Sequence, residues 1–125
     1  MSKVKDYIYR PEYECMTRSE MENLQSERLR KTVELVYNNC KPYRAKMDAC
    51  KLKPSDIRSV SDLSKLPFTV KHDLREAYPF GFYSSPQSDI VEIHASSGTT
   101  GKLTVVGYTQ NDVDVWSEVA ARSLA

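Results

Sequence analysis

The stretch Asp89-Ile90-Val91-Glu92-Ile93-His94-Ala95-Ser96-Ser97-Gly98-Thr99-Thr100-Gly101-Lys102-Leu103-Thr104-Val105-Val106-Gly107-Tyr108 decides how this chain is read. Two apolar, β-branched runs, 89–94 and 103–108, flank seven consecutive residues carrying four hydroxyls, two glycines and one lysine. In the first run Ile90, Glu92 and His94 alternate with Val91, Ile93 and Ala95, the period of a strand. Thr104, Val105 and Val106 continue the β-rich composition in the second. The pattern predicts a β-hairpin closed by the turn Ser96 to Lys102. Glycines let backbone N–H groups converge on one point, hydroxyls add short donors, and the ammonium adds charge. Such an array, with no acidic residue in it, suits a polyphosphate. Composition alone fits a plain Ser/Gly surface loop equally well; the lysine and the paired threonines favour an anion.

The turn is not a Walker loop. That motif needs four residues between its first glycine and the Gly-Lys pair, a Ser or Thr after the lysine, and a helix beyond it. Here only Thr99 and Thr100 separate Gly98 from Gly101, Leu103 follows the lysine, and a second strand-like run comes next.

Working outward, Tyr7, Tyr9, Tyr13 and Pro11 show no periodicity, so residues 1–18 are expected to lie extended across other elements. Ser19 with Glu22 matches a capping box, and Met21, Leu24, Arg28, Leu29, Thr32, Val33, Leu35 and Val36 predict an amphipathic helix to Asn39. Pro42 predicts a second helix through Met47 to Lys51, and Pro54-Ser55-Asp56 a turn. Ser61 is expected to cap a short helix ended by Pro67, and Thr69 another running through Asp73 to Ala77. Pro79, Gly81, Ser84, Ser85 and Pro86 read as linker-like. Thr109 is expected to open a last helix whose Val113, Trp116, Val119, Ala120 and Leu124 form an apolar stripe, with Asp112 and Asp114 as first-turn dipole partners rather than metal ligands. His94 is read as a strand-end hydrogen-bonding residue in preference to a phosphate contact, and Tyr108 and Trp116 as packing residues in preference to the walls of an aromatic-acid pocket.

The segment HASSGTTGKLTVVGYT (94–109) resembles the phosphate-binding motif of the adenylate-forming enzymes, most of all their phenylacetate–CoA ligase branch. The resemblance extends over Leu24-Gln25-Ser26-Glu27-Arg28-Leu29, Asp62 to Thr69, Asp73-Leu74-Arg75, Tyr78-Pro79-Phe80-Gly81, and Tyr108-Thr109 with Asp112 and Trp116. One departure stands beside the turn: the family usually has proline where this chain has Leu103, which restores an N–H and frees φ. The resemblance implies a mixed α/β fold, with an amino-terminal helical unit (1–83) followed by a β-hairpin and helix (84–125) that begin the large nucleotide-binding domain. It implies a ligase of phenylacetate catabolism that joins an aryl acid to AMP from Mg2+-ATP and then to coenzyme A. Ser96, Ser97, Thr99, Thr100 and Lys102 would contact phosphate, and Gly98 and Gly101 would permit close backbone approach. No catalytic residue and no metal ligand is assigned. Because the family's adenine pocket, hinge and adenylation lysine follow this motif, the chain reads as an amino-terminal fragment without turnover of its own, prone to self-association through unpaired strand edges. Two alternatives stay open: another adenylate-forming enzyme with a different acid or acceptor, and a non-catalytic helical assembly module.

Composition agrees with a globular, cytoplasmic protein. The formal net charge is +1, from 12 basic and 8 acidic residues in 1–53 (+4) and 6 against 9 in 54–125 (−3), which makes no general case for nucleic acid or membrane. No apolar run approaches the roughly 18 residues of a membrane span, and Met1 to Asp6 lacks the apolar core of a signal peptide. Cys15, Cys40 and Cys50 are odd in number, without a CxxC or a histidine at ligand spacing, and read as reduced thiols.

Overall fold

A computed structural model describes residues 8–96 and 103–124. The element order is α1 (Pro11–Glu14), α2 (Arg18–Asn39), α3 (Lys41–Ala49), two 3-10 helices (Pro54–Asp56 and Val60–Lys65), α4 (Lys71–Glu76), a third 3-10 helix (Gln87–Asp89), β1 (Ile90–Ser96), β2 (Thr104–Thr109) and α5 (Gln110–Leu124). The expected order of a helical unit, a hairpin and a helix holds.

Helix α2 is capped two residues before the expected position. Two overlapping capping-box matches compete, and Thr17 wins over Ser19. The Thr17 Oγ1 accepts from the Glu20 N–H at 3.3 Å, while the Thr17 N–H donates to Glu20 Oε2 at 2.8 Å. The earlier start also places Arg18 four residues before Glu22, 2.6 Å from its carboxylate. Residues 11–14, expected to lie extended, form one helical turn with Pro11 at its start.

Helix α2 buries Ser26 and Val33 against α3 and the 3-10 helices. The core is small: Val33, Met47 and Ile57, with Leu29, Tyr37, Tyr43, Leu52 and Leu66 partly buried around them. Helix α3 stops at Ala49, short of Lys51, because Lys51 turns left-handed (φ 57°). The Lys51 N–H then reaches Asp48 O and the Leu52 N–H reaches Met47 O, both at 2.9 Å. This is the usual two-bond helix terminator, with lysine where glycine is preferred, and it delivers Leu52 onto Met47. Cys15 and Cys50 are exposed, Cys40 is buried, and all three are free.

Carboxylates, not the expected hydroxyls, start the next two helices. Asp62 accepts from the N–H groups of Arg58 (2.9 Å) and Ser59 (3.1 Å), so Ser61 lies inside a 3-10 helix rather than capping it. Asp73 accepts from the Val70 N–H at 2.8 Å, so α4 is capped one residue after Thr69. Lys65 first, then those two N–H groups, hold the Asp62 carboxyl down at about 2 from its ordinary 3.8. Lys46 and then the Val70 N–H likewise lower Asp73, and Lys53 and then Tyr37 lower Asp48. Groups with depressed folded-state pKa values bind fewer protons when folded, so their stabilisation is complete above the unfolded value near 4 and fades as pH falls through their folded values, for Asp62 toward about 2. Thermal melts followed by circular dichroism should therefore hold level from neutral pH to about 4 and drop steeply below it. Asp62→Asn should lower the plateau and flatten the acid limb; an unchanged limb would deny Asp62 its part.

Strands β1 and β2 pair antiparallel, from Glu92 with Tyr108 through Ile93 with Gly107, His94 with Val106 and Ala95 with Val105 to Ser96 with Thr104. A bulge between Ile90 and Glu92 interrupts the ladder. Residues 79–86, linker-like in composition, run as turns, with Tyr83 lying on Gly107 of β2. Helix α5 follows β2 without a break, capped reciprocally by Thr109 and Asp112. Its apolar stripe is present but uncovered: Trp116 is 52% exposed and Val119 54%, and no α5 residue is buried. Among the described residues no helix is long and apolar enough to cross a membrane.

Candidate functional site

Of the seven residues expected to face phosphate, Ser96 lies at the exposed end of β1, paired with Thr104. Ser97, Gly98, Thr99, Thr100, Gly101 and Lys102 lie outside the described residues. The ladder therefore runs one residue further than the sequence suggests at Ser96, and β2 starts at Thr104, one residue after Leu103. Pairing at Ser96 and Thr104 holds both ends of the intervening segment within one strand spacing, about 5 Å. A closed hairpin root of this kind is the first requirement for a turn that gathers its donors.

Directly paired residues share a face of the ladder, so Glu92, His94 and Ser96 line up beside Tyr108, Val106 and Thr104. Thr104 is 8% exposed, and its Oγ1 is buried without a hydrogen-bond partner among the described residues. In the sequence Thr104 reads only as a strand former; a β-branched residue next to a hydroxyl-rich turn carries no signal that its Oγ1 will be buried.

His94 behaves as its strand-end position suggests. Its Nε2 lies 2.5 Å from Glu92 Oε1. Its ring meets those of Tyr108 (5.0 Å) and Trp116 (5.7 Å) edge-on, and Tyr108 and Trp116 stack at 5.6 Å. The aromatic trio pins the start of α5 to the hairpin face that leads to the turn. Tyr108 and Trp116 pack on one another in a half-exposed nest and also line an open groove with Asn111 and Val115.

The acids beside the site are engaged locally. Asp112 Oδ2 accepts from the Thr109 N–H (2.9 Å) and Oγ1 (2.8 Å), and Asp114 Oδ1 accepts from Gln110 Nε2 (2.8 Å). Among the described residues, no group of three or more His, Cys, Asp or Glu side chains is arranged to hold a metal ion.

No family model matches the chain. It is 48% identical over 118 residues to the phenylacetate-coenzyme A ligase of Thermus thermophilus, covering 94% of this chain and 26% of that protein. The phenylacetate-coenzyme A ligase of Escherichia coli is 53% identical over 105 residues, 84% of this chain and 24% of that one. Among solved structures, 2-hydroxyisobutyryl-CoA ligase in complex with 2-HIB-AMP and CoA superposes with a TM-score of 0.83 at 29% identity, over 98% of this chain and 27% of that one. The chain spans about a quarter of the length of the relatives it matches.

Proposed function

We infer, for a chain that belongs to the phenylacetate–CoA ligase family of adenylate-forming enzymes, that the turn Ser96 to Lys102 holds the β- and γ-phosphates of ATP while a carboxylate attacks the α-phosphorus. The observation that carries this reading is the Ser96–Thr104 pairing, which closes the hairpin directly beneath the family motif. Hydroxyls of Ser96, Ser97, Thr99 and Thr100 donate to phosphate oxygens, Gly98 and Gly101 let the backbone approach, and Lys102 offsets the charge of the departing pyrophosphate. The contribution is positioning and electrostatic stabilisation, with no covalent step on the turn. Mg2+ prefers oxygen ligands and keeps its waters, so it arrives with the nucleotide's own phosphates. The acyl-adenylate then passes to the thiol of coenzyme A, with AMP leaving.

Identities near 50% to phenylacetate ligases, against 29% to a hydroxyisobutyryl ligase, favour an arylacetate as the acid. Residues 1–83 act as the helical unit and 84–125 as the opening of the nucleotide-binding domain. By this reading the polypeptide releases neither AMP nor pyrophosphate by itself. It self-associates through the uncovered apolar faces of its hairpin and α5, where Val91, Ile93, Val115 and Val119 are each more than half exposed. Nucleotide and thiol substrates suit a cytoplasmic enzyme.

Titrating the chain with pyrophosphate and with Mg-ATP, followed through its backbone amides by NMR, tests the reading. Shifts concentrated at Gly98 to Lys102, with Ile57 in the helical core unmoved, are expected. Unchanged turn amides at millimolar ligand would remove it.

A further inference from the structure

Two glycines meet the segment that joins the helical unit to the hairpin, Gly81 within its turn and Gly107 midway along β2. A Cβ added at Gly81 would lie 2.7 Å from Ala77 O and 2.9 Å from Ala77 Cβ, so this position is pressed onto the end of α4. The Gly81 N–H also donates to Ala77 O at 2.8 Å. A Cβ added at Gly107 would lie 2.6 Å from both Cζ and Oη of Tyr83, so the phenol ring rests on the β2 backbone where only glycine leaves room. Between the two glycines, the Tyr83 N–H donates to Phe80 O at 3.0 Å, and the Phe80 and Tyr83 rings meet at 5.2 Å. Tyr83 also lines a cavity of about 190 Å3 together with Leu74, Phe82, Ile90 and Val105. Helix α4 is itself tied to α3 by the Lys46–Asp73 ion pair at 2.8 Å.

We propose that residues 78–83, with Gly81 against the end of α4 and Tyr83 against Gly107 of β2, form a joint between α4 and β2, and that Tyr83 is the residue that positions the phosphate hairpin against the helical unit. The ring carries the role. The Tyr83 Oη is buried and has no hydrogen-bond partner among the described residues, so beyond its van der Waals contact with Gly107 the hydroxyl contributes no hydrogen bond to the wedge. Gly107 pairs with Ile93 midway along the ladder, three residues before the pairing of Ser96 with Thr104 is reached on the same strand. Pressure on Gly107 therefore sets the pose of the strand that anchors the turn. The phosphate part of this role rests on the reading given above; the coupling of α4 to β2 does not.

The test combines amide hydrogen exchange with pyrophosphate titration on the chain and four variants. Tyr83→Phe should match wild type in both measurements. Tyr83→Ala should speed exchange at Val105 to Tyr108 by about tenfold or more while amides around Met47 keep their protection, and should weaken pyrophosphate binding. Gly107→Ala should do the same by displacing the ring, and the double variant should be no worse than either single one, since both remove one contact. If Tyr83→Ala loses the Met47 protection as well, Tyr83→Leu, which keeps bulk without the flat ring, takes its place with the same expected local effect. Unchanged β2 exchange in these variants, or Tyr83→Phe as harmful as Tyr83→Ala, would overturn the joint. A wild-type chain that ignores pyrophosphate while Tyr83→Ala still loosens β2 would overturn the phosphate reading and uphold the joint.

Discussion

Met47→Ala should cost about 2–5 kcal/mol of unfolding free energy, measured by denaturant titration with far-UV circular dichroism. Met47 has no exposed surface and sits between Val33 of α2 and Ile57 after the first 3-10 helix, with Leu52 returned onto it by the left-handed turn at Lys51. Truncation removes three heavy atoms from the centre of a core whose other buried members among the described residues are Val33 and Ile57. Collapse into the space is restricted because α2 and α3 are fastened beside it: Tyr37 donates to Asp48 at 2.7 Å, and Lys53, raised to about 12 by that carboxylate and then by Tyr37, reaches Asp48 at 2.6 Å. A domain of this length holds roughly 6–19 kcal/mol in total, so the loss takes a large share of it. Phe68→Ser is the contrast: the ring is 90% exposed, and the change should stay within about 0.5 kcal/mol. A Met47→Ala cost below 1 kcal/mol would mean that the helices do not close over this side chain.

Those two residues also show which parts of the fold the sequence discloses. The period of α2 and the alternation of β1 are local signals, and both elements lie where the pattern puts them. Exposure is not local. Nothing about Phe68 or the α5 stripe in the sequence says that one stands in solvent and the other lies uncovered, because burial depends on which chain comes to rest against them. Caps fail for a related reason. Thr17-Arg18-Ser19-Glu20 and Ser19-Glu20-Met21-Glu22 are equally good matches, and the choice falls to the helix that gains Arg18–Glu22 as well. Asp62 and Asp73 do the work assigned to Ser61 and Thr69, since a carboxylate three residues into a helix reaches back to the N–H groups that a hydroxyl would have served. The turn is read from composition and resemblance, and its residues 97–102 lie outside the described residues. Its supports are not legible in the sequence: the wedge of Tyr83 on Gly107 joins positions 24 residues apart, and a glycine in a strand pattern announces a close approach without naming what approaches.

The second large effect is expected at Lys102, in a polypeptide that carries this segment together with the remaining length found in its relatives. Lys102→Ala should slow acyl-adenylate formation, followed by pyrophosphate–ATP exchange, by about 10- to 150-fold, the kinetic equivalent of losing one charge-assisted hydrogen bond of about 1.5–3 kcal/mol. The loss should fall on kcat as well as kcat/KM, because charge accumulates on the β-phosphate as the bond to the α-phosphorus breaks, and an ammonium near it stabilises the transition state more than bound ATP. Folding should be untouched: the residue lies between Ser96 and Thr104, whose backbone pairing makes no demand on its side chain, so the denaturation midpoint should move by less than about 0.5 kcal/mol. Lys102→Arg separates charge from shape, since it keeps the charge but spreads it over a planar fork. Partial recovery with arginine marks a phosphate contact. Full activity in Lys102→Ala would assign the charge compensation to another residue, and equal losses of activity and stability would make Lys102 part of the hairpin's structure instead. Leu103 sharpens the comparison: it lies one residue before β2 begins at Thr104 and lacks proline's fixed φ, so Leu103→Pro should raise the adenylation rate, and an unchanged rate would show that rigidity at that point is not limiting.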